Sequence, residues 1–401
     1  MPRLRIRQLA EHGLSYLGML QHAVALALLA LLGARLVSNM RFLRWVRRQA
    51  ALPAAQLPRV SVLIPARNEA GTITACVTSL LDQQYPDVEI IVLDDGSTDG
   101  TGQMLDALSA RHPRLRVLHT CDDPPPGWTG KNFACHRLAA QASGDWLLFT
   151  DADTLHAPDS ILQGITAATS LDTALVSAMP HQRTESWSEH ILVSFIVDFL
   201  PLIAVDLRAL WRGSSGQTVA NGQYLLVNAR RYRATGGHTA IRSALIDDFA
   251  LARQFRARGF SVALVDGTHM LSCRMYRRAS TVWDGFSKNL LGAVAPSSAG
   301  GYSQRQPLWR SLWPSPLFAW CYACLFVIPF CGVAFGTRKA LAGVEIAGLY
   351  ALRGVAGWYL RRPLHETIVT PLAGWGVMAL GLRTLYQRWR KRPIMWKGRH
   401  Y

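Results

Sequence analysis

Several short acidic and basic stretches in this chain carry side chains suited to phosphate and metal chemistry. The apolar run Trp146-Leu147-Leu148-Phe149 leads into Thr150-Asp151-Ala152-Asp153. On a strand, carboxylates one residue apart share a face and Ala152 points away. Like charges that close raise each other's pKa unless a cation lies between them. Hard divalent ions such as Mg²⁺ or Mn²⁺ take oxygen ligands and share them with substrate phosphates. A metal–diphosphate site at a strand end is the expectation. The same residues, with Thr154 and Pro158 behind them, also read as a turn into a helix cap. Two more apolar runs end in polar groups: Pro65-Ala66-Arg67-Asn68-Glu69, and Asp94-Asp95-Gly96-Ser97-Thr98-Asp99-Gly100. Asp247-Asp248 opens a later segment, where first-turn acids also favour a helix dipole. Arg274-Met275-Tyr276-Arg277-Arg278 is a basic cluster able to face phosphates or solvent.

The elements that must position these groups alternate. Val60–Ile64 reads as a buried strand, and 71–85 as a helix with Ile73, Cys76, Val77, Leu80 and Leu81 on one face, stopped by Pro86. Val88–Leu93 is a second strand, a helix runs to about Arg111, and Leu115–His119 is a third strand. A loop at 124–131, ending in Gly130-Lys131, precedes a helix over about Asn132–Ala142 and the Trp146 strand. Such alternation predicts an α/β domain with a Rossmann-like, mostly parallel sheet. Ligands collect at the C-terminal strand ends of such sheets, where three of these polar groups fall. Neither Gly-x-Gly-x-x-Gly after the first strand nor a P-loop signature occurs, which argues against a dinucleotide oxidoreductase and a P-loop NTPase.

Half of the 401 residues are hydrophobic and only 17% are charged, with 43 basic against 26 acidic side chains, a net charge of +17. Mean hydropathy is slightly positive. Residues 14–37 are nearly all apolar and suit one membrane-spanning helix of about 20 residues or, with Gln21 and His22 interrupting them, a shallow interfacial helix. Arg41, Arg44, Arg47 and Arg48 follow it, placing what comes next in the cytoplasm. Three apolar stretches, about 316–336, 340–360 and 367–382, close the chain before a basic tail. The stretch 190–207 is apolar but broken by Asp198, Pro201 and Asp206, and reads as an amphipathic or membrane-surface helix rather than a span. The expected divisions are a membrane anchor with a basic flank at 1–50, a catalytic domain at 51–300, and a C-terminal transmembrane region at 301–401. Basic charge flanking apolar segments points to a membrane surface; no nucleic-acid motif accompanies it. Seven cysteines without framework spacing fit reduced thiols.

The ordered set Pro-Ala-Arg-Asn-Glu, Asp-Asp-Gly-Ser-Thr-Asp-Gly, Gly-Lys before a helix, Asp-Ala-Asp and a later acidic pair resembles the inverting family 2 glycosyltransferases of the GT-A fold, over roughly 58–290. Pro-Pro-Pro-Gly-Trp-Thr-Gly-Lys-Asn, Gly-Gly-His, Cys-Arg-Met-Tyr and the terminal Trp-Lys-Gly-Arg-His-Tyr look more narrowly like membrane glycosyltransferases of carotenoid and hopanoid glycosylation. The resemblance implies a nucleotide-sugar donor, a divalent metal, and a lipid or isoprenoid acceptor. It implies that Pro65, Ala66, Arg67 and Glu69 border the nucleoside, and that Asp95 or Asp94 binds uracil or ribose. Lys131 would lie against the nucleotide or diphosphate. Asp151 would hold nucleotide and metal, and Asp153 the metal. Asp248 would deprotonate the acceptor hydroxyl, with Asp247 where the family often has Glu. No Gln-x-x-Arg-Trp motif follows the acidic pair, which argues for a single transfer rather than a processive synthase. Arg274 or Lys288 is then the candidate for that motif's phosphate-facing role. The rival readings are a polyprenyl-phosphate sugar synthase and a non-catalytic membrane scaffold.

Overall fold

The computed structural model describes residues 2–294, 316–390, 395–396 and 399–400. The expected boundary at residue 300, and Lys391, Arg392 and Lys397 of the basic tail, lie outside the described residues.

The expected alternation is present. β1 (Val60–Ala66) pairs in parallel with β2 (Val88–Asp95) on one side and β4 (Trp146–Phe149) on the other. β3 (Leu115–Thr120) extends the sheet beyond β2. Four further strands complete it: β5 (Thr154–His156), β6 (Leu175–Gln182), β7 (Leu225–Asn228) and β8 (Val262–Cys273). The order is β3-β2-β1-β4-β7-β6-β8-β5. β7 runs against β4 and β6, and β5 against β8, so the sheet is mostly parallel with two reversed strands.

Both faces are covered, which is why the strands read as near-continuous apolar runs. Val62, Ile64, Val92 and Leu148 face a core shared with α2 (Ile73–Leu81), α5 (Ser160–Ser170) and the end of α1 (Pro2–Arg47). Leu63, Ile91, Leu147 and Phe149 alternate onto the other face. There they meet Ala134, Cys135 and Leu138 of α4 (Gly130–Gln141), Tyr232 of α8 (Ala229–Ala234), and Leu251 and Phe255 of α9 (Asp247–Ala257). α3 (Thr101–Ser109) packs on β3 and α2.

Three local readings are corrected. β1 and β2 run further than expected, so Pro65, Ala66, Asp94 and Asp95 are themselves strand residues. β4 stops at Phe149, so Asp151 and Asp153 stand in the turn before β5 and the two-residue strand period does not orient them. The 190–207 stretch is not a surface helix. It begins as a π-helix, Glu189–Phe199, continues as α6 (Leu200–Ala204) and turns into α7 (Leu207–Arg212). Leu192, Val193, Phe195, Asp198 and Phe199 are all buried. Its polar groups find partners elsewhere in the chain: Asp206 pairs with Arg35 of α1, Arg353 Nη2 donates to Ser194 Oγ at 2.7 Å, and Arg362 Nε lies 3.6 Å from Asp198 Oδ2.

The stretch 316–336 breaks before Ile328-Pro329 into α11 (Pro316–Phe326) and α12 (Ile328–Phe335), each too short to span a bilayer. α13 (Lys339–Tyr359), α14 (Leu364–Ile368) and α15 (Thr370–Trp389) follow. Among the described residues, Gly18–Arg47 of α1 and Lys339–Tyr359 are long and apolar enough to cross a membrane. One polar pair links these two helices: His22 Nδ1 lies 2.7 Å from Glu345 Oε1.

Candidate active site

The loops after β1 and β2 are laced to each other. Arg67 Nη1 donates to the carbonyl of Asp95 at 2.7 Å and lies 3.8 Å from its carboxylate. Asn68 has φ 54°, a left-handed conformation that Asn tolerates. It accepts from the Thr98 N–H at 2.9 Å and donates its own N–H to Ser97 Oγ at 2.9 Å. The Glu69 N–H donates to Thr101 Oγ1, and the Ala70 N–H to Asp99 Oδ2. Pro65 and Ala66 sit directly beside Leu93 and Asp94 in the sheet register.

The two neighbouring acids of β2 differ. Asp94 accepts from the Ser97 N–H at 3.1 Å and lies 3.3 Å from His119 Nδ1. Gly102 packs against it so closely that a Cβ there would stand 2.7 Å from Asp94 Oδ2. Asp94 is therefore built into the scaffold on the α3 side, whereas Asp95 lies beside Arg67.

A charge cluster gathers around Lys131, in the first turn of α4. Thr129 caps that helix through a hydrogen bond from the Asn132 N–H. Lys131 Nζ lies 2.8 Å from Asp151 Oδ1 and 3.2 Å from Asp247 Oδ2. It thereby ties the turn after β4 to the start of α9. Burial disfavours its charge, but Asp151 and Asp247 hold its pKa well above the ordinary lysine value. Burial pushes Asp247 up too; Lys131 overrides it and holds the carboxyl below its usual range.

Asp248 behaves oppositely. It accepts the Gly222 N–H at 2.8 Å and its neighbour Phe249's N–H at 2.8 Å, while the ion pairs of Lys131 go to Asp151 and Asp247. Burial first, then the Asp247 charge, push its pKa up to about 7. A carboxylate in this state is ionised near neutral pH yet able to take a proton. Lys288, on α10 (Ala279–Val294), belongs to the same field: burial and repulsion from Lys131 lower its pKa, against attraction by Asp247, Asp151 and Asp248.

Arg274 is committed elsewhere. It grips Glu189 in a bidentate pair, at 3.0 Å and 3.0 Å, and reaches Glu185 at 2.5 Å. Asp153 interacts with the buried thiol of the adjacent Cys273. Beneath the turn, Thr150 Oγ1 donates to the Gln223 carbonyl at 2.8 Å and contacts His156 Nε2 at 3.0 Å. Burial lowers the His156 pKa to about 3, so it stays neutral. The donor set of Asp151 and Asp153, carboxylate oxygens on one short turn, is the type that Mg²⁺ or Mn²⁺ selects.

Gly222 is the site residue that sequence reasoning passed over. Asn221-Gly222 reads only as a loop before a strand, but a Cβ on Gly222 would stand 3.4 Å from both Asp248 Oδ2 and Lys131 Nζ. A glycine just before a strand that enters the centre of the sheet was the available signal.

The chain matches the profile of Glycosyl transferase family 2 across residues 61–280. It is similar to the 4,4'-diaponeurosporenoate glycosyltransferase of Staphylococcus aureus, 25% identical over 351 residues, which cover 85% of this chain and 88% of that protein. Among solved structures it is similar to a mannosyltransferase from Pyrobaculum calidifontis in complex with GDP-Man and Mn²⁺, with a TM-score of 0.54 and 20% identity over 92% of this chain and 99% of that one. That second likeness is one of fold, the GT-A arrangement. With the profile spanning more than half of its length, the chain belongs to the family 2 glycosyltransferases.

Proposed function

We propose that this glycosyltransferase moves a hexose, glucose in the first instance, from a UDP-sugar to a hydroxyl of a carotenoid-type or other isoprenoid lipid, inverting the anomeric centre. The observation that carries the reading is the pairing of opposites at one cleft. Asp248 is a carboxylate with a raised pKa, and a few ångströms away across Gly222 stands the cation of Lys131. In this reading the acceptor O–H attacks the anomeric carbon and gives its proton to Asp248 Oδ. The bond from that carbon to the diphosphate oxygen breaks on the opposite side, and the nucleoside diphosphate leaves with the electron pair. Attack opposite the leaving group inverts the centre. Arg67, Glu69 and the Asp95 side of β2, with Pro65 and Ala66 behind, would border the nucleoside, Asp94 supporting them from the scaffold.

Lys131 would neutralise the leaving diphosphate, and Lys288 fits the phosphate-facing role better than Arg274, whose guanidinium is occupied by Glu185 and Glu189. A divalent ion held by Asp151 and Asp153 would supply Lewis-acid neutralisation of the same diphosphate. The carotenoid-type class of the acceptor rests on the relative named for diaponeurosporenoate, a carboxylate; the choice of a hydroxyl rests on Asp248, because an ionised carboxylate would need no base. The two apolar helices support a membrane-embedded, multi-pass chain with its catalytic domain on the cytoplasmic side, where a greasy acceptor reaches the site laterally.

Purified full-length protein, incubated with UDP-glucose, Mg²⁺ or Mn²⁺ and an isoprenoid extract, should yield a product heavier than its acceptor by one hexose in mass spectrometry. Asp248→Asn should abolish it. A product that survives Asp248→Asn points to an acceptor that needs no base, a polyprenyl phosphate or a carboxylate, and the mass of the product tells these apart. Failure of the protein to bind UDP with either metal in calorimetry points to a non-catalytic scaffold.

A further inference from the structure

The strongest feature that this reaction does not use lies where α1 and α13 end side by side. Between those ends is a cavity of about 570 Å³, lined by Arg44, Arg47, Asp266, Trp358, Tyr359 and Arg361, and by Arg362, whose charge is taken up by Asp198 and Glu366. Arg44 stacks its guanidinium over Trp358 at 5.6 Å and over Tyr359 at 5.5 Å. Tyr359 hydrogen-bonds Asp266, the one acid among these residues, which also accepts from the Thr268 N–H and hydroxyl. Asp266 is thus spent on holding the wall. Among the described residues no carboxylate pairs with Arg44, Arg47 or Arg361. Three arginine charges converge there on a single carboxylate that none of them pairs with, which leaves the cavity an excess of positive charge.

The backbone adds a second observation. α13 ends in a Schellman motif: the Arg361 N–H bonds the Trp358 carbonyl at 3.3 Å and the Arg362 N–H bonds the Gly357 carbonyl at 2.7 Å. The residue at the left-handed position is normally glycine, yet here it is Arg361, with φ 56°. An arginine held in that conformation keeps its charge at the cavity at a local cost in strain. A third observation is position. Gly18–Arg47 and Lys339–Tyr359 are the two helices long and apolar enough to span, and both finish at this cavity, so it lies at the polar end of both. Trp358 is 70% exposed and Trp45 42%, at the level where aromatic side chains favour the membrane–water boundary.

We propose that this cavity binds the phosphate of an anionic amphiphile at the membrane surface, with the arginines on the phosphate oxygens and Trp358 against the chain or glycerol behind it. Arginine forks match phosphate oxygens in geometry and charge. Basic pockets between spanning helices on the cytoplasmic side take anionic headgroups in this way. The inference rests on the membrane-embedded reading and is independent of donor and acceptor.

The test uses full-length protein in nanodiscs of phosphatidylcholine with and without phosphatidylglycerol, with native mass spectrometry counting retained lipids. The wild type should retain phosphatidylglycerol over phosphatidylcholine by about tenfold, and Arg47→Gln with Arg361→Gln should lose that preference. Arg361→Gly is the control for folding: it removes the charge and relieves the left-handed backbone, so its melting temperature should equal or exceed that of the wild type while retention falls. Inorganic phosphate at millimolar concentration should not displace the lipid; displacement with equal protection would make the ligand a free phosphate and not a headgroup. Incorporation into discs with no headgroup preference, or an Arg361→Gly protein that retains lipid as well as the wild type, overturns this inference alone. Failure to incorporate at all overturns the membrane reading beneath it.

Discussion

The two halves of the candidate cleft are built from different materials. Around β1 and β2, Arg67, Asn68, Glu69, Ala70 and Asp99 are tied by hydrogen bonds into one rigid rim. Around β4 and α9, Lys131 and Lys288 share a small volume with Asp151, Asp247 and Asp248, and charge balance does what hydrogen bonds do on the other side. A rim of that first kind is formed before any ligand arrives. In the second kind, every change of one charge alters the state of the others, which is how adjacent Asp247 and Asp248 come to opposite pKa shifts. Acid–base pairs with diverging pKa values mark the place where chemistry is done.

Substitutions should separate these halves. Asp248→Asn should have the largest effect, lowering kcat by ~10²–10⁴, the ordinary worth of a general base, with donor KM little changed. The same substitution should raise the melting temperature at pH 8. Asp248 has a raised pKa in the fold, so its ionisation costs stability as pH climbs through about 7, and a neutral amide escapes that cost while keeping the Gly222 contact. Lys131→Met comes next. Losing a charge-assisted contact worth about 1.5–3 kcal/mol should weaken UDP binding by ~10–100-fold in calorimetry. It should also leave Asp247 without its cation. On the rim, Arg67→Ala should raise donor KM by ~5–10-fold through loss of a single net hydrogen bond, with kcat intact. The smallest effect on activity belongs to Gly102→Ala. Crowding Asp94 should cost ~1–3 kcal/mol of unfolding free energy, read by thermal or chemical denaturation, with the catalytic constants near those of the wild type.

The rim was far more legible in the sequence than the charge cluster. Strand alternation with polar groups at successive C-terminal ends is a local pattern, and Val60–Ala66, Val88–Asp95 and Trp146–Phe149 formed where the pattern said, within two residues of their expected ends. Asp151 and Asp153 were read by a strand period that stops at Phe149, because the chain turns sooner to begin β5. Gly222 carries no side chain to notice, and its role depends on a contact 26 residues away at Asp248. The 190–207 stretch looked like a surface helix because Asp198 interrupts it; the arginine that faces Asp198 is Arg362, far along the chain. Long-range charge pairing decides such positions, and periodicity does not contain it.

The measurement that bears most directly on the shared charge field is the pH dependence of kcat/KM for wild type and Asp247→Asn. In the proposed mechanism Asp248 serves as the base only when ionised, so the wild-type rate should climb through about pH 7 and level off above it. With the neighbouring charge gone, that limb should move to lower pH. A wild-type rate flat between pH 5 and 8, or a limb that stays in place in Asp247→Asn, would contradict the account.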